Sequence, residues 1–183
     1  MKRYFLLFFL LLDISVFCKS KLPVIIKSQE EIFRKIAQDI SIRLPEEIEI
    51  LVFRLMTVNS DKDTNERINK NFETIMKTQQ FIYNYTLDFI NDVINDPENK
   101  DYSADYSFIE NYDEKELITY ARYLNKDAIL LASVVVFDDS NKTVWDRTQK
   151  KFVSKKVGLI QGNIFYTDSG ESLLRFSYYF LID

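Results

Sequence analysis

The sequence predicts a mixed α/β domain, with a three-to-five-stranded mixed sheet, helices packed on it and antiparallel hairpins late in the chain. Three observations predict it. Segments with apolar residues every three or four positions alternate with short β-rich runs through the first part of the chain, the pattern of helices returning to a sheet. The run Ile48 to Met56 is apolar on both of its alternating faces, as expected of a strand covered on both sides. From Ala128 onward long β-rich runs follow one another across turn sequences with no helical segment between them, which is how hairpins are written.

Each element has a local reason. Ser28 and Glu31 form an S-x-x-E capping box, so a helix begins there. Ile32, Ile36, Ile40 and Leu44 make its apolar stripe, and Pro45 ends it because the residue before a proline avoids helical angles. Ile48 to Met56 follows as a strand. Asn59 to Asn65 is polar, and Thr64 is the expected cap of a second helix whose buried face is Ile68, Phe72, Ile75 and Met76. Phe81 to Tyr85 reads as a short strand, and Thr86 as the cap of a short helix through Leu87, Ile90, Val93 and Ile94. Residues 96–112 are polar and tyrosine-rich and read as a loop or lid. Asp113 and Glu116 open another capped helix, with Leu117, Ile118, Ala121 and Leu124 inward. The unbroken apolar run Ala128 to Phe137 marks a central strand. Asp138 to Asn141 reads as a turn, Thr143 to Phe152 as a weaker strand and Val157 to Tyr166 as a strand. Thr167-Asp168-Ser169-Gly170 is a hairpin turn, and Leu173 to Ile182 is the last strand, with Leu174, Phe176, Tyr178 and Phe180 on one face.

The first twenty residues stand apart from this domain. Met1-Lys2-Arg3 is followed by a Leu/Phe-rich run and then by Cys18-Lys19-Ser20, the layout of a secretory signal with a positive start, a short apolar stretch and a small-residue end. The stretch from Tyr4 to Phe17 is interrupted by Asp13 and falls short of the roughly 20 residues a bilayer span needs. The expected organisation is a signal peptide over 1–20 and a single mixed α/β domain over 21–183. Two processing outcomes stay open. Cleavage after Ser20 leaves Lys21 first. Alternatively, Ser15-Val16-Phe17-Cys18 loosely matches a lipobox, although Phe17 is bulky where that motif prefers a small residue, and Cys18 becomes the lipidated N-terminus.

Composition removes several kinds of chemistry. The chain has no histidine and one cysteine, Cys18. That excludes Ser-His-Asp triads, histidine-ligated zinc and an internal disulfide, and leaves the domain after Cys18 without a thiol. With three glycines in all there is neither a P-loop nor a dinucleotide fingerprint. Residues 1–20 contain three of the 24 basic and one of the 28 acidic residues, so the chain beyond them holds 21 basic and 27 acidic residues, a net charge of −6. A negative chain with no basic stripe argues against nucleic acid and against an anionic lipid surface. The expectation is a protein without cofactor or metal that is not an enzyme.

Four segments in order resemble a bacterial envelope group that includes FlgO-type flagellar lipoproteins, CsgG-type secretion lipoproteins and the N-terminal domain of TolB. Ile36 to Phe53 resembles its opening helix, turn and first strand, and Phe81 to Ile94 its second strand and following helix. Leu117 to Val135, carrying Ala121-x-x-Leu124-x-x-Asp127, resembles the helix that feeds the central strand. Leu159 to Leu174, with Asp168-x-Gly170-Glu171, resembles the late hairpin turn. The chain departs from the group where Ala132-Ser133 replaces a usual glycine, and in the longer, charged stretch Asn141 to Lys156. The resemblance implies an exported accessory or assembly factor of the periplasm or the outer-membrane-anchored envelope, with a flagellar or outer-envelope association. It would act through envelope protein partners and touch the membrane only through a lipid anchor. It implies neither a channel nor a set of catalytic residues. The alternative is a small-ligand or peptidoglycan-binding module.

Candidate sites follow from residue chemistry. Tyr102, Tyr106, Phe108 and Tyr112, interleaved with acidic residues, form a candidate partner-binding segment, because tyrosines bring large, fairly rigid contact area. Trp145, in the polar stretch Lys142 to Gln149, is a second candidate anchor. Asp61 to Asn65 begins like a calcium loop but has Glu66 where that loop needs Gly and Phe72 where it needs Glu, so a helix entry explains it better. Asp138, Asp139 and Asp146 lack a base or cation at a recognisable spacing and read as turn residues.

Overall fold

The computed structural model describes residues 26–44, 47–83, 85–95, 113–146 and 151–182, with the backbone alone at residues 83, 94–95, 138–146 and 151–154. The described elements are β1 (Lys27–Ser28), α1 (Gln29–Arg43), β2 (Glu49–Val52), β3 (Met56–Val58), α2 (Lys62–Tyr83), β4 (Thr86–Phe89), α3 (Ile90–Asn95), α4 (Glu114–Tyr123), β5 (Ala128–Asp146), β6 (Lys151–Tyr166) and β7 (Ser172–Ile182). They make one seven-stranded mixed sheet in the order β1-β7-β6-β5-β2-β4, with β3 following β2 along the same edge of β5. β5, β6 and β7 are antiparallel, and the other pairings are parallel. The mixed α/β class and the late hairpins are as expected. The strand count exceeds three to five because β1 and β3 are pieces of two and three residues.

The capping box forms. The Ser28 hydroxyl accepts from the Glu31 N–H, and the Glu31 carboxylate accepts from the Ser28 N–H at 2.9 Å. Other junctions differ from the sequence reading. α2 is capped by Asp61, whose carboxylate accepts from the Thr64 N–H at 2.8 Å and from the Thr64 hydroxyl at 2.9 Å, so Thr64 sits inside the first turn. α2 then runs through Phe81, where a strand was expected. No Gly or Pro interrupts it, and its inward stripe Ile68, Phe72 and Met76 continues to buried Gln79. Phe81 and Ile82 point outward, 85% and 64% exposed, so their apolarity is not a strand's buried face. The strand begins at Thr86 instead, tied to α2 by the Leu87 N–H donating to Gln80 Oε1 at 3.0 Å.

The expected strand Ile48 to Met56 is split into β2 and β3. β2 pairs Val52 with Leu130, and β3 pairs Met56 with Ser133, so this side has one residue more than β5 over the same distance. That is a bulge. Before it, Ile50 and Val52 face one core and Leu51 and Phe53 the other; after it, Leu55 returns to the first core and Arg54 is expelled into solvent. Asn69 of α2 occupies the gap. Its side chain accepts from the Leu55 N–H at 2.7 Å and donates to the Leu55 carbonyl at 3.2 Å, satisfying backbone groups the broken ladder leaves over.

The turn expected at 138–141 is not there. β5 continues with a register shift after Phe137 and pairs again from Lys142 with Lys155 to Asp146 with Lys151. Thr143 to Phe152 is therefore not one strand but the facing ends of two. The last pairing of β6 with β7 is Lys156 with Ile182, so the outer β5–β6 segment is a two-stranded ribbon among the described residues.

Two cores flank the sheet. α1 and α2 close one face with Phe33, Ile36, Ile40, Phe72 and Met76 over Ile50, Val134, Ile160 and Phe180. Ring contacts there include Phe33–Phe72 edge-on at 5.1 Å. Phe176 and Phe180 lie over Gly162 and Gly158, their register partners on β6; a Cβ at Gly162 would stand 2.2 Å from the Phe176 ring. α3 and α4 cover part of the other face, with Leu117, Ile118 and Ala121 over Leu51, Ile129 and Phe165.

The motifs that carry the family resemblance meet where the parallel strands begin. Asp127 and Glu49 exchange bonds, the Glu49 N–H donating to the Asp127 carboxylate at 3.0 Å and the Asp127 N–H to the Glu49 carbonyl at 3.1 Å. The buried Thr167 hydroxyl donates to the carbonyls of Lys126 and Asp127, and Arg122 donates to those of Thr167 and Asp168. Lys126 bridges Glu49 at 2.8 Å and Asp88 at 2.7 Å. Burial opposes its charge, but the two carboxylates outweigh that and hold its ammonium above the ordinary lysine range. The cluster fastens α4, β2, β4 and the β6–β7 turn together, so the spacing that carries the resemblance serves architecture. Gly170, at φ 71°, lets that turn close.

Candidate interaction surface

Among the described residues the second face of the sheet is only half covered, and its chemistry follows from the register. Ile129 pairs with Phe165 beneath α4. Moving along the strands, Leu131, Asn163 and Arg175 form the next cross-strand row. Met56, Ser133, Gln161 and Ser177 form the one after it, and Val58, Val135, Leu159 and Tyr179 the next. α4 covers the first of these rows and leaves the later ones with open positions. The result is a shallow trough in which polar side chains are set among apolar surface, beside an apolar row.

The trough has a volume of about 650 Å3 and is lined by Met56, Ser133, Gln161, Asn163, Arg175 and Ser177, with Glu114 of α4 on its rim. Ser172 Oγ donates to Asn163 Oδ1 at 2.6 Å, and Gln161 Nε2 reaches Ser177 Oγ at a long 3.5 Å. Hydroxyls, amides and a guanidinium recognise hydrogen-bonding partners; they do not by themselves move protons at neutral pH. In the apolar row Leu159 is buried, but Val58 and Tyr179 are 43% and 38% exposed at its ends. Tyr179 lies against Phe137 with ring centroids 6.2 Å apart. Among the described residues no cluster of His, Cys, Asp or Glu could hold a metal ion, and no helix is long and apolar enough to cross a membrane.

Of the residues singled out by sequence, Cys18, Tyr102, Tyr106, Phe108 and Tyr112 lie outside the described residues. Trp145 is in β5 opposite Phe152, on the outer ribbon and away from the trough. The carboxylates of Asp138, Asp139 and Asp146 also lie outside the description. The trough residues were not singled out, although a signal for them existed. β7 alternates inward Leu174, Phe176, Tyr178 and Phe180 with Arg175, Ser177 and Tyr179, the polar-out pattern of a sheet with one wet face. Finding Met56 and Val58 beside them required knowing that β3 pairs with β5.

No protein-family model matches the sequence, and no curated protein matches it. Solved structures do match in fold. The structure is similar to the LpoB C-terminal domain. For the Escherichia coli domain the TM-score is 0.54 at 8% identity, covering 82% of this chain and 96% of that one. For the Salmonella enterica domain it is 0.52 at 14% identity, covering 83% and 94%. At such identities the likeness is one of fold. Both are LpoB domains rather than FlgO, CsgG or TolB proteins, so the shared property is the coarser one of a mixed α/β architecture.

Proposed function

We propose that this protein is an exported, non-enzymatic cell-envelope factor that works through protein contacts made on the open β5–β6–β7 face. The observation that carries the reading is that face itself. A sheet whose opposite side is closed by two helices leaves an apolar row and a trough carrying hydrogen-bonding groups uncovered by the described residues across β3, β5, β6 and β7. Recognition surfaces combine apolar anchors with polar groups of this kind. The signal-like first twenty residues and the absence of histidine support export and a non-catalytic role. The fold likeness to LpoB C-terminal domains is consistent with an accessory role in the envelope. Lipidation at Cys18, a flagellar or outer-envelope association, and partner contacts by Tyr102, Tyr106, Phe108, Tyr112 and Trp145 are the finer parts of the proposal.

The test is recovery of partners from the envelope fraction with the tagged full chain. The double variant Val58→Asp/Tyr179→Ala should keep the wild-type melting temperature within a few degrees and lose the partners. Unchanged recovery would overturn the assignment of this face. The triple variant Tyr102→Ala/Tyr106→Ala/Tyr112→Ala tests the tyrosine segment in the same assay. Mass spectrometry of the mature N-terminus separates the processing outcomes, since an acylated Cys18 and a free Lys21 differ in mass.

A further inference from the structure

A second site lies at the carboxyl ends of the sheet's parallel strands. The chain leaves the carboxyl end of β2, by way of β3, for α2, which packs on the first face, and it leaves the adjacent β4 for α3, which packs on the second. Neighbouring parallel strands whose exits diverge to opposite faces open a crevice at their carboxyl ends, the place where α/β sheets bind ligands. Here that crevice has a volume of about 350 Å3. Val52, Phe53, Phe72 and Phe89, nearly buried, form its apolar floor, and Arg54 and Lys70 line it together with the carboxylates of Glu66 and Glu73.

Three features distinguish it from a chance surface hollow. The one-residue bulge between β2 and β3 takes Arg54 out of the inward alternation and aims it at the crevice, and bulges re-aim side chains at functional sites. The bulge is held by the two hydrogen bonds between Asn69 and Leu55, one accepted and one donated by the Asn69 amide, and Asn69 itself lines the crevice. The charges are also unevenly engaged. Glu73 is bonded to Lys77 at 2.7 Å, and Lys77 reaches on to Asp92 at 2.6 Å. Glu66 has Lys62 at a distant 3.9 Å. Among the described residues neither Arg54 nor Lys70 has a carboxylate partner.

We infer that the β2–β4 crevice binds a small organic anion, its carboxylate or phosphate held between Arg54 and Lys70 and its apolar body set against Val52, Phe53, Phe72 and Phe89. A guanidinium offers paired donors to either oxyanion, and the lysine adds a point charge. The site lies apart from the open β5–β6–β7 face, so it stands or falls independently of the proposed function.

Three probes with the same four-carbon body test it: butyrate, butyl phosphate and neutral butyramide, titrated into the 15N-labelled full chain. One of the two anions should give saturable shifts at the backbone amides of Arg54, Asn69 and Lys70, and the tighter of them assigns carboxylate or phosphate. Butyramide should bind about tenfold more weakly or not at all. Arg54→Gln, at an exposed position that leaves folding intact, should weaken the anion by about tenfold. Lys115→Gln, on the surface of α4, should leave it unchanged. Absence of saturable shifts, equal binding of butyramide, or an unaltered affinity in Arg54→Gln would each overturn the inference.

Discussion

The face under α1 and α2 and the face that α3 and α4 partly cover are built from the same strands, often from adjacent residues. Ile50 and Leu51, Val52 and Phe53, and Leu130 and Ile129 divide between the two cores. The first face is apolar along β5 from Ala128 to Val136, with Ala128, Leu130, Ala132, Val134 and Val136 all buried in its core. On the second face the same strand buries Ile129 and Leu131 and then turns to Ser133 and a half-buried Val135. Two helices fit over the first face because glycines at 158 and 162 let Phe180 and Phe176 lie close to β6. Among the described residues the second face is not covered beyond α4 and stays accessible there.

The sharpest way to break this comparison is to truncate an aromatic on each face. Phe33 is fully buried between Phe72 and Phe180, so Phe33→Ala should cost about 3–5 kcal/mol in urea unfolding, the transfer term plus the cavity it leaves. Tyr179 is 38% exposed on the open face, and Tyr179→Ala should cost under about 1 kcal/mol. Equal losses would mean that the second face is as closed as the first and would remove the basis for assigning it to a partner.

A smaller effect tests the bulge that separates the two faces' alternation. Asn69→Ala leaves the Leu55 N–H and carbonyl without their partner. Orphaned backbone groups cost about 1–3 kcal/mol when shielded from water. The same variant should lower the affinity of the β2–β4 crevice for its anion, because Arg54 loses its fixed aim. A stability loss with no change in anion shifts would show that the bulge serves packing alone.

How much of this was legible in the sequence depends on whether the signal was local. The capping box at Ser28, the stripe of α1, the two-sided burial of Ile50 to Phe53, the run from Ala128 to Phe137 and the turn at Gly170 were legible because neighbours within four residues determine them. Phe81 and Ile82 misled because β propensity and helix exposure look alike in a short apolar run. The bulge at Arg54 was illegible because it is a mismatch in count between β2–β3 and a strand over seventy residues away. The trough and the crevice are each assembled from three or more elements; their residues are ordinary polar and charged types whose meaning comes only from register. Conversely, Ala121-x-x-Leu124-x-x-Asp127 and the Asp168 turn stood out in sequence and proved to be the clamp between Arg122, Asp127 and Thr167.

A comparably small effect concerns the edge where the closed face begins. Ser28 caps α1 at the point where β1 joins β7, and Ser28→Ala should cost about 1 kcal/mol through loss of the hydroxyl cap. The pH dependence of that loss separates the two halves of the capping box. The Ser28 backbone N–H first, and its hydroxyl second, hold the Glu31 carboxyl below the ordinary carboxylate range. A carboxyl lowered in the folded state stabilises above its unfolded value, and that contribution disappears as pH falls through the folded one. Ser28→Ala keeps the backbone N–H but removes the hydroxyl's share. The gap between wild type and variant should therefore be widest near neutral pH and narrow on acidification. It should not vanish, because the Glu31 N–H still donates to the wild-type hydroxyl when the carboxyl is protonated. In a Glu31→Gln background the gap should be flat from pH 7 to pH 3. A gap that widens in acid would reverse the sign and place the stabilising charge elsewhere than at this cap.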